Sequence, residues 1–101
     1  MKRHLFLCCS TQCLNSQVDR LFPRNIAIKT KYVRHDAGRM DVLLGDLIVM
    51  FAVATDPDRF RGMLPDSWED CGNVDRKKLE PIYQYLISHG VASQRMEVSI
   101  G

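Results

Sequence analysis

Residues 4–13, HLFLCCSTQC, join an apolar run to the start of a helical pattern. His4–Cys9 shows no alternation of apolar and polar residues, which is typical of a strand buried on both faces of a sheet. Ser10 or Thr11 can cap the helix that follows, and apolar residues then recur at helical spacing until Pro23. The stretch therefore predicts a buried strand that leads directly into a helix.

Three further strands and a second helix follow along the chain. Leu47–Ala54 is again continuously apolar and indicates a central strand. Residues 25–34 alternate and indicate a half-exposed edge strand, and residues 94–100 form a short final strand. A helix is expected to begin near residues 79–81 and to end at Gly90.

Two of the remaining segments are predicted to be connections. Residues 36–44 are expected to form a short helical turn that Asp36 caps. Residues 65–75 are strongly polar and are expected to form a connector.

This order of elements predicts a small three-layer α/β domain that spans residues 1–101. Its sheet should have four mostly parallel strands in the order 2-1-3-4, with residues 26–34 at one edge. The alternative is an α+β ferredoxin-like βαββαβ fold, in which residues 25–55 form the middle hairpin. That fold leaves one sheet face open, so its strands should alternate, and the two apolar runs do not. The sequence therefore favours the parallel sheet.

The composition predicts a globular protein without a membrane-spanning segment. The chain has 101 residues, of which 46% are hydrophobic and 26% charged, and both fractions are ordinary for a globular domain. No apolar stretch reaches the roughly 18–20 residues of a membrane span, and the first ten residues lack the roughly 7–15-residue apolar section of a signal peptide. A cytoplasmic location with reduced cysteines is expected, since adjacent Cys8 and Cys9 make a poor disulfide layout.

Charge is unevenly distributed. Residues 1–40 carry eight Lys and Arg against two acidic residues, whereas residues 41–101 carry six against ten. A basic edge that could bind nucleic acid comprises Lys29, Lys31, Tyr32, Arg34 and Arg39. No RNA-binding signature accompanies it, and lysines on edge strands also protect against aggregation.

Cys9 stands where ligands bind in parallel α/β sheets, at the carboxyl end of a strand and before a helix N-terminus. A helix N-terminus favours the thiolate, which is the nucleophilic form. The predicted anion-binding loop is formed by Ser10, Thr11, Gln12, Cys13, Leu14 and Asn15. Packing of buried thiols is the alternative interpretation of this cysteine cluster.

Residues 5–16, LFLCCSTQCLNS, resemble the opening of low-molecular-weight protein tyrosine phosphatases and their short relatives, which have an apolar strand followed by Cys-x5-Arg-Ser. Aligned on Cys9, the family's serine falls on Ser16 and its arginine on Asn15. Residues 35–37 and 46–50 also resemble the segment before that family's third strand and the strand itself, so the resemblance covers roughly residues 4–64.

The resemblance implies that Cys9 would be the nucleophile and that Ser16 would assist it. Asparagine cannot replace a guanidinium that binds two phosphoryl oxygens. Asp66 is the only residue of this sequence proposed to take the place of the family's general acid. The sequence therefore predicts a phosphatase-like scaffold with a decayed active site, which binds a protein or a phosphate-like anion and needs no cofactor.

The same stretch resembles the IIB components of sugar phosphotransferase systems. Those carry a phosphocysteine in a loop of the type Cys-Ser-x5-Ser, which Cys9, Ser10 and Ser16 match. The family's small loop residues are replaced by Gln12, Cys13 and Leu14. This resemblance implies the enzymatic alternative, phosphoryl transfer through Cys9.

Metal and disulfide chemistry have weaker signals. Cys9 and Cys13 are four residues apart, and the further ligand candidates are isolated in the sequence: His4, His35, Cys71 and His89. No metal site is expected. A disulfide from Cys13 to Cys8 or Cys9 remains open.

Overall fold

A computed structural model describes residues 2–23, 30–53, 64–71 and 74–95. In these ranges six strands form one mixed sheet in the order β2-β3-β4-β1-β5-β6. The elements along the chain are β1 (Lys2–Cys8), α1 (Thr11–Leu21), β2 (Lys31–Asp36), β3 (Arg39–Leu44), β4 (Leu47–Val53), β5 (Ser67–Asp70), α2 (Arg76–Ser88) and β6 (Ala92–Ser93). β1 is parallel to both β4 and β5, whereas β2, β3 and β4 form an antiparallel meander.

The two helices cover opposite faces of the sheet. Leu5 and Leu7 of β1 belong to the core beneath α2, and Phe6 and Cys8 belong to the core beneath α1. Successive side chains of a strand point to opposite faces, so a strand with a helix on each side must be apolar throughout. The prediction of an α/β protein with helices on both faces is confirmed.

Each face has its own aromatic stack. Phe6 lies against Phe51 on the α1 side, with ring centroids 5.1 Å apart. Trp68 lies against Tyr83 on the α2 side at 4.9 Å. Burial of one large apolar side chain contributes about 1.5–3 kcal/mol, so these two layers supply much of the stabilisation of the sheet.

The predicted strand order 2-1-3-4 is wrong. β1 does lie parallel to Leu47–Val53, as predicted, but its other neighbour is β5. The strand at residues 31–36 lies at an edge, as predicted, but it pairs antiparallel with β3. The four-stranded, mostly parallel sheet is thus replaced by a six-stranded mixed one in the described part of the chain.

The source of this error is the segment at residues 39–44, which forms β3 and not a helical turn. Only Gly45 and Asp46 separate β3 from β4, and Gly45 has a φ of +57°. A two-residue turn with glycine in that conformation reverses the chain directly into an antiparallel neighbour. The helices on opposite faces also exclude the ferredoxin-like alternative, as does the pairing of β2 with β3 and not with β4.

The predicted polar connector at residues 65–75 is likewise wrong, because it contains β5. Four residues long, β5 runs parallel to β1 with Leu5 opposite Trp68. α2 begins at Arg76, with the Asp75 side chain as its cap, which is about one turn earlier than the predicted start near residues 79–81. Gly90, with a φ of +75°, follows the helix as predicted.

Parts of three predicted strands lie outside the described residues, namely residues 25–29, residue 54 and residues 96–100. Within the described part, Gln94 and Arg95 are not in a strand. Of the helices that the structure describes, neither is long and apolar enough to cross a membrane.

Candidate functional site

The junction between β1 and α1 consists of two residues, Cys9 and Ser10. The Ser10 hydroxyl accepts a hydrogen bond from the Cys13 amide at 3.1 Å, and its carbonyl accepts one from the Leu14 amide at 2.9 Å. Ser10 is therefore an N-cap that starts the helix at once. The predicted anion-binding loop, Ser10 to Asn15, is thus the cap and the first turns of α1. Its predicted contact with an anion stays a prediction.

Cys9 is exposed at the carboxyl end of β1, where the sequence placed it. Its Sγ lies 4.0 Å from the Ser10 hydroxyl. The first amides of a helix have no acceptor within the helix, and Ser10 satisfies that of Cys13. The amides of Thr11 and Gln12 have no acceptor within the helix either, and a helix N-terminus of this kind favours negative charge beside it.

The other predicted catalytic residues are not brought to Cys9. Ser16 is exposed on the second turn of α1. Asp66 is bound to the start of β1, where its carboxylate accepts a hydrogen bond from the Arg3 amide at 2.8 Å. An extended strand rises about 3.3 Å per residue, so roughly 16 Å separates Arg3 from the end of β1. Asp66 lies at the opposite end of the strand from Cys9.

Asn15, which aligns with the arginine of the phosphatase family, binds an arginine of strand β2, Arg34. Its side-chain oxygen accepts a hydrogen bond from Arg34 of β2 at 2.6 Å. The same guanidinium lies 3.7 Å from the sulfur of Met40. A cleft of about 310 Å³ at this place is lined by Asn15, Val18, Asp19, Tyr32, Arg34 and Met40. The sequence could not indicate this pair, because it depends on where β2 lies.

Three of the four thiols form a cluster behind the junction. Cys8 and Cys71 are buried with their sulfurs 3.3 Å apart, and the Cys13 sulfur lies 4.0 Å from the Cys71 carbonyl oxygen. The hydrogen bond to Cys71, together with burial, raises the pKa of Cys8 far above its ordinary value. Burial also raises the pKa of Cys13. The thiols of Cys8 and Cys13 are therefore protonated at neutral pH.

All four cysteines are free thiols, so neither disulfide left open by the sequence is present. Among the described residues, no group of three or more His, Cys, Asp and Glu side chains could hold a metal ion. Cys71 was missed as a neighbour of Cys8 because β5, which carries it there, was not predicted.

The basic edge is not a continuous cationic surface. Arg39 is buried, and its Nε lies 2.8 Å from a carboxylate oxygen of Asp41. Arg34 is held by Asn15, and the Tyr32 hydroxyl donates to the Phe22 carbonyl at 3.0 Å. Lys29 lies outside the described residues. The residues that would contact nucleic acid are thus largely committed to contacts within the protein.

Comparison of the chain with protein-family models, with curated proteins and with solved structures found no match. The resemblances to the tyrosine phosphatases and to the IIB components therefore stay predictions, which rest on the residues around Cys9.

Proposed function

We propose that the protein is a phosphatase-like binding protein without turnover, which holds an anionic group of a partner protein, or a phosphate-like anion, at the junction of β1 and α1. The observation that carries this proposal is the distance between Cys9 and Asp66, the predicted nucleophile and the predicted general acid. Cys9 and the first amides of α1 are exposed together, while Asp66 binds the far end of β1.

The binding half of the proposal depends on backbone groups and on the helix. The amides of Thr11 and Gln12 have no acceptor within α1, and the helix dipole adds a partial positive charge at the same place. Helix N-termini of this kind bind phosphate and carboxylate groups. The exposed Cys9 thiol would lie beside the bound anion.

The lack of turnover follows from what a phosphoryl transfer needs. Its transition state is stabilised by a guanidinium or an equivalent cation, and the leaving group requires a general acid. Asn15 occupies the position that resembles the arginine position, and Arg34 is engaged with it. Asp66 is too far from Cys9 to act as the acid.

Phosphoryl transfer through a phosphocysteine is the enzymatic alternative, since it needs no arginine. It requires a backbone loop that surrounds the phosphate, and here α1 begins directly after Ser10. The geometry therefore favours binding over transfer.

The experiment is a titration of the ¹⁵N-labelled protein with inorganic phosphate, and with chloride at the same ionic strength, followed by amide chemical shifts. We expect phosphate-specific shifts at Thr11 and Gln12. The first amides of α2 are the internal control, because the Asp75 carboxylate caps that helix and accepts from the Lys77 amide at 3.0 Å. A carboxylate at that position repels a second anion.

Two variants and one assay complete the test. Cys9→Asp should abolish the phosphate shifts through charge repulsion, whereas the isosteric Cys9→Asn should retain them. Hydrolysis of p-nitrophenyl phosphate should stay at background. The proposal fails if Thr11 and Gln12 do not respond to phosphate, or if the protein hydrolyses the ester and Cys9→Ser abolishes that activity.

A further inference from the structure

A chain of three hydrogen-bonded side chains joins β1 to β5 at the end of the sheet opposite Cys9. His4 Nδ1 lies 2.6 Å from the Ser67 hydroxyl, and His4 Nε2 lies 3.0 Å from a carboxylate oxygen of Glu69. The parallel register brings them together, since His4 is opposite Ser67 and Phe6 is opposite Glu69. All three side chains lie on the same face of adjacent strands.

The direction of each hydrogen bond follows from the chemistry of its groups. An ionised carboxylate can only accept, so His4 donates from Nε2 to Glu69. Burial lowers the pKa of His4 below its ordinary value of 6.5, against the opposing effect of Glu69, so the imidazole is neutral at pH 7. Nδ1 of that neutral tautomer carries a lone pair, and the Ser67 hydroxyl donates to it.

The imidazole is also fixed in place. His4 is 3% exposed, and the Phe6 ring packs edge-on against it with centroids 4.9 Å apart. Ser67 is half-buried and reaches a cleft of about 300 Å³, which is within the range of small-molecule sites. His4 is thus the most buried of the three and lies between the half-buried Ser67 hydroxyl and the half-buried Glu69 carboxylate that orients the ring.

The same cleft is rich in cations. Besides His4 and Ser67 it is lined by Lys2, Arg3, Arg95 and one acidic residue, Asp66. The Nε of Arg3 is buried and has no hydrogen-bond acceptor in the part of the chain that the structure describes. A buried donor without an acceptor costs about 1–3 kcal/mol.

We propose that Ser67, His4 and Glu69 form an esterase site, with Ser67 as the nucleophile, His4 as the general base and Glu69 as the residue that orients His4. The substrate is a small carboxylic ester that carries a negative charge. The cations around the cleft recognise that charge.

Each step conserves atoms and protons. Ser67 Oγ forms a bond to the carbonyl carbon while its proton passes to His4 Nδ1. The bond from that carbon to the alcohol oxygen breaks, and the departing alcohol takes the proton from His4. A water molecule then attacks the acyl-serine with the same proton transfers, which releases the acid and restores Ser67.

This site is independent of the proposed function at Cys9, because it lies at the other end of β1 and shares no residue with it. A purely structural role, in which the three side chains only hold β5 to β1, would need the hydrogen bonds but not a reactive hydroxyl. Reactivity of Ser67 is therefore the property that separates the two roles.

The first test is labelling of the wild-type protein with a fluorophosphonate, followed by peptide mass spectrometry. Ser67 Oγ forms a bond to phosphorus, the P–F bond breaks, and fluoride leaves with the proton held by His4. Ser88 is the internal control, since its hydroxyl lies 3.2 Å from Nδ1 of the exposed His89 but does not line this cleft. We expect Ser67 to be labelled at least about 100-fold faster than Ser88, the lower range of general-base effects.

Variants assign the roles. Ser67→Ala should abolish labelling at this site, and Glu69→Gln should slow it about 10-fold or more, with circular dichroism spectra that match the wild type. Hydrolysis of 4-nitrophenyl hemisuccinate should exceed that of the neutral 4-nitrophenyl butyrate about 10-fold. Labelling of Ser67 no faster than that of Ser88 overturns the site without any variant, and equal rates on the two esters overturn the substrate class.

Discussion

Accessibility separates the four cysteines into reactive and inert thiols. Cys9 is exposed, Cys13 is half-buried with a raised pKa, and Cys8 and Cys71 are buried in mutual contact. Iodoacetamide reacts with accessible thiolates, so the labelling rate should fall from Cys9 to Cys13 to the buried pair. Mass spectrometry of labelled peptides across pH would measure this order. If Cys71 takes most of the label in the folded protein, the buried sulfur pair does not exist.

The buried imidazole of His4 makes stability depend on pH. Its pKa in the folded protein lies below the ordinary value of 6.5, so the unfolded chain binds the proton first as the pH falls. The contribution of the neutral His4 imidazole to the free energy of unfolding is fully present above about pH 6.5. It is lost below that pH, by about 1.4 kcal/mol for each unit of pKa difference. Urea unfolding between roughly pH 7.5 and pH 5 should show this loss.

Replacement of His4 provides the control for that pH dependence. His4→Gln should flatten the decline below pH 6.5, because the buried titrating group is gone. His89→Gln, a substitution at an exposed histidine outside the core, is the matched comparison. Equal pH profiles for the wild type and His4→Gln would show that His4 is not the group responsible.

The turn between β3 and β4 is the element on which the antiparallel half of the sheet depends. Gly45 has a φ of +57°, and an added Cβ would meet nothing within 4 Å, so only backbone strain opposes a side chain there. Gly45→Ala should lower the free energy of unfolding by about 1–2 kcal/mol. Gly45→Asn should cost less, because asparagine tolerates this conformation. Urea unfolding of both variants would measure this, and equal losses would argue against a left-handed residue at this turn.

α2 contains a correctable defect. Pro81 lies in the helix interior and is exposed, so it removes one hydrogen bond, to the Lys77 carbonyl, without contributing to the core. Pro81→Ala should raise the free energy of unfolding by about 1–3 kcal/mol. Lys78→Ala, at another exposed position of the helix, should change it by less than about 0.5 kcal/mol. A loss of stability in Pro81→Ala would contradict a continuous helix from Arg76 to Ser88.

The elements that the sequence predicted well are those whose pattern is set by burial on both sides. β1 and β4 are continuous apolar runs, and α1 has an apolar stripe behind a serine cap. β3 was missed although Gly45 and Asp46 between two apolar segments are a hairpin signal. β5 had no such signal, because glutamate and aspartate are rare in strands and only its pairing with β1 makes it one.

At the scale of the whole molecule, the two candidate sites differ in whether their position depends on β5, one of the two missed strands. The helix start beside Cys9 depends only on local sequence, so its position could be predicted. The contact of Cys8 with Cys71 and the chain from Ser67 to Glu69 both require β5 beside β1. Strand neighbours that are far apart in sequence are set by the packing of the entire sheet, which local patterns do not contain.

Amide hydrogen exchange tests this arrangement of the sheet directly. β1 is paired on both sides and covered on both faces, so its amides should exchange last, whereas β2, paired on one side only, should exchange earlier. The decisive amide is that of Cys71, which donates to the Leu7 carbonyl at 3.0 Å and is buried. It should be protected nearly as well as β1. In a polar connector the same amide would exchange at the rate of an unstructured peptide, and that result would remove β5 from the sheet together with the esterase site that it completes.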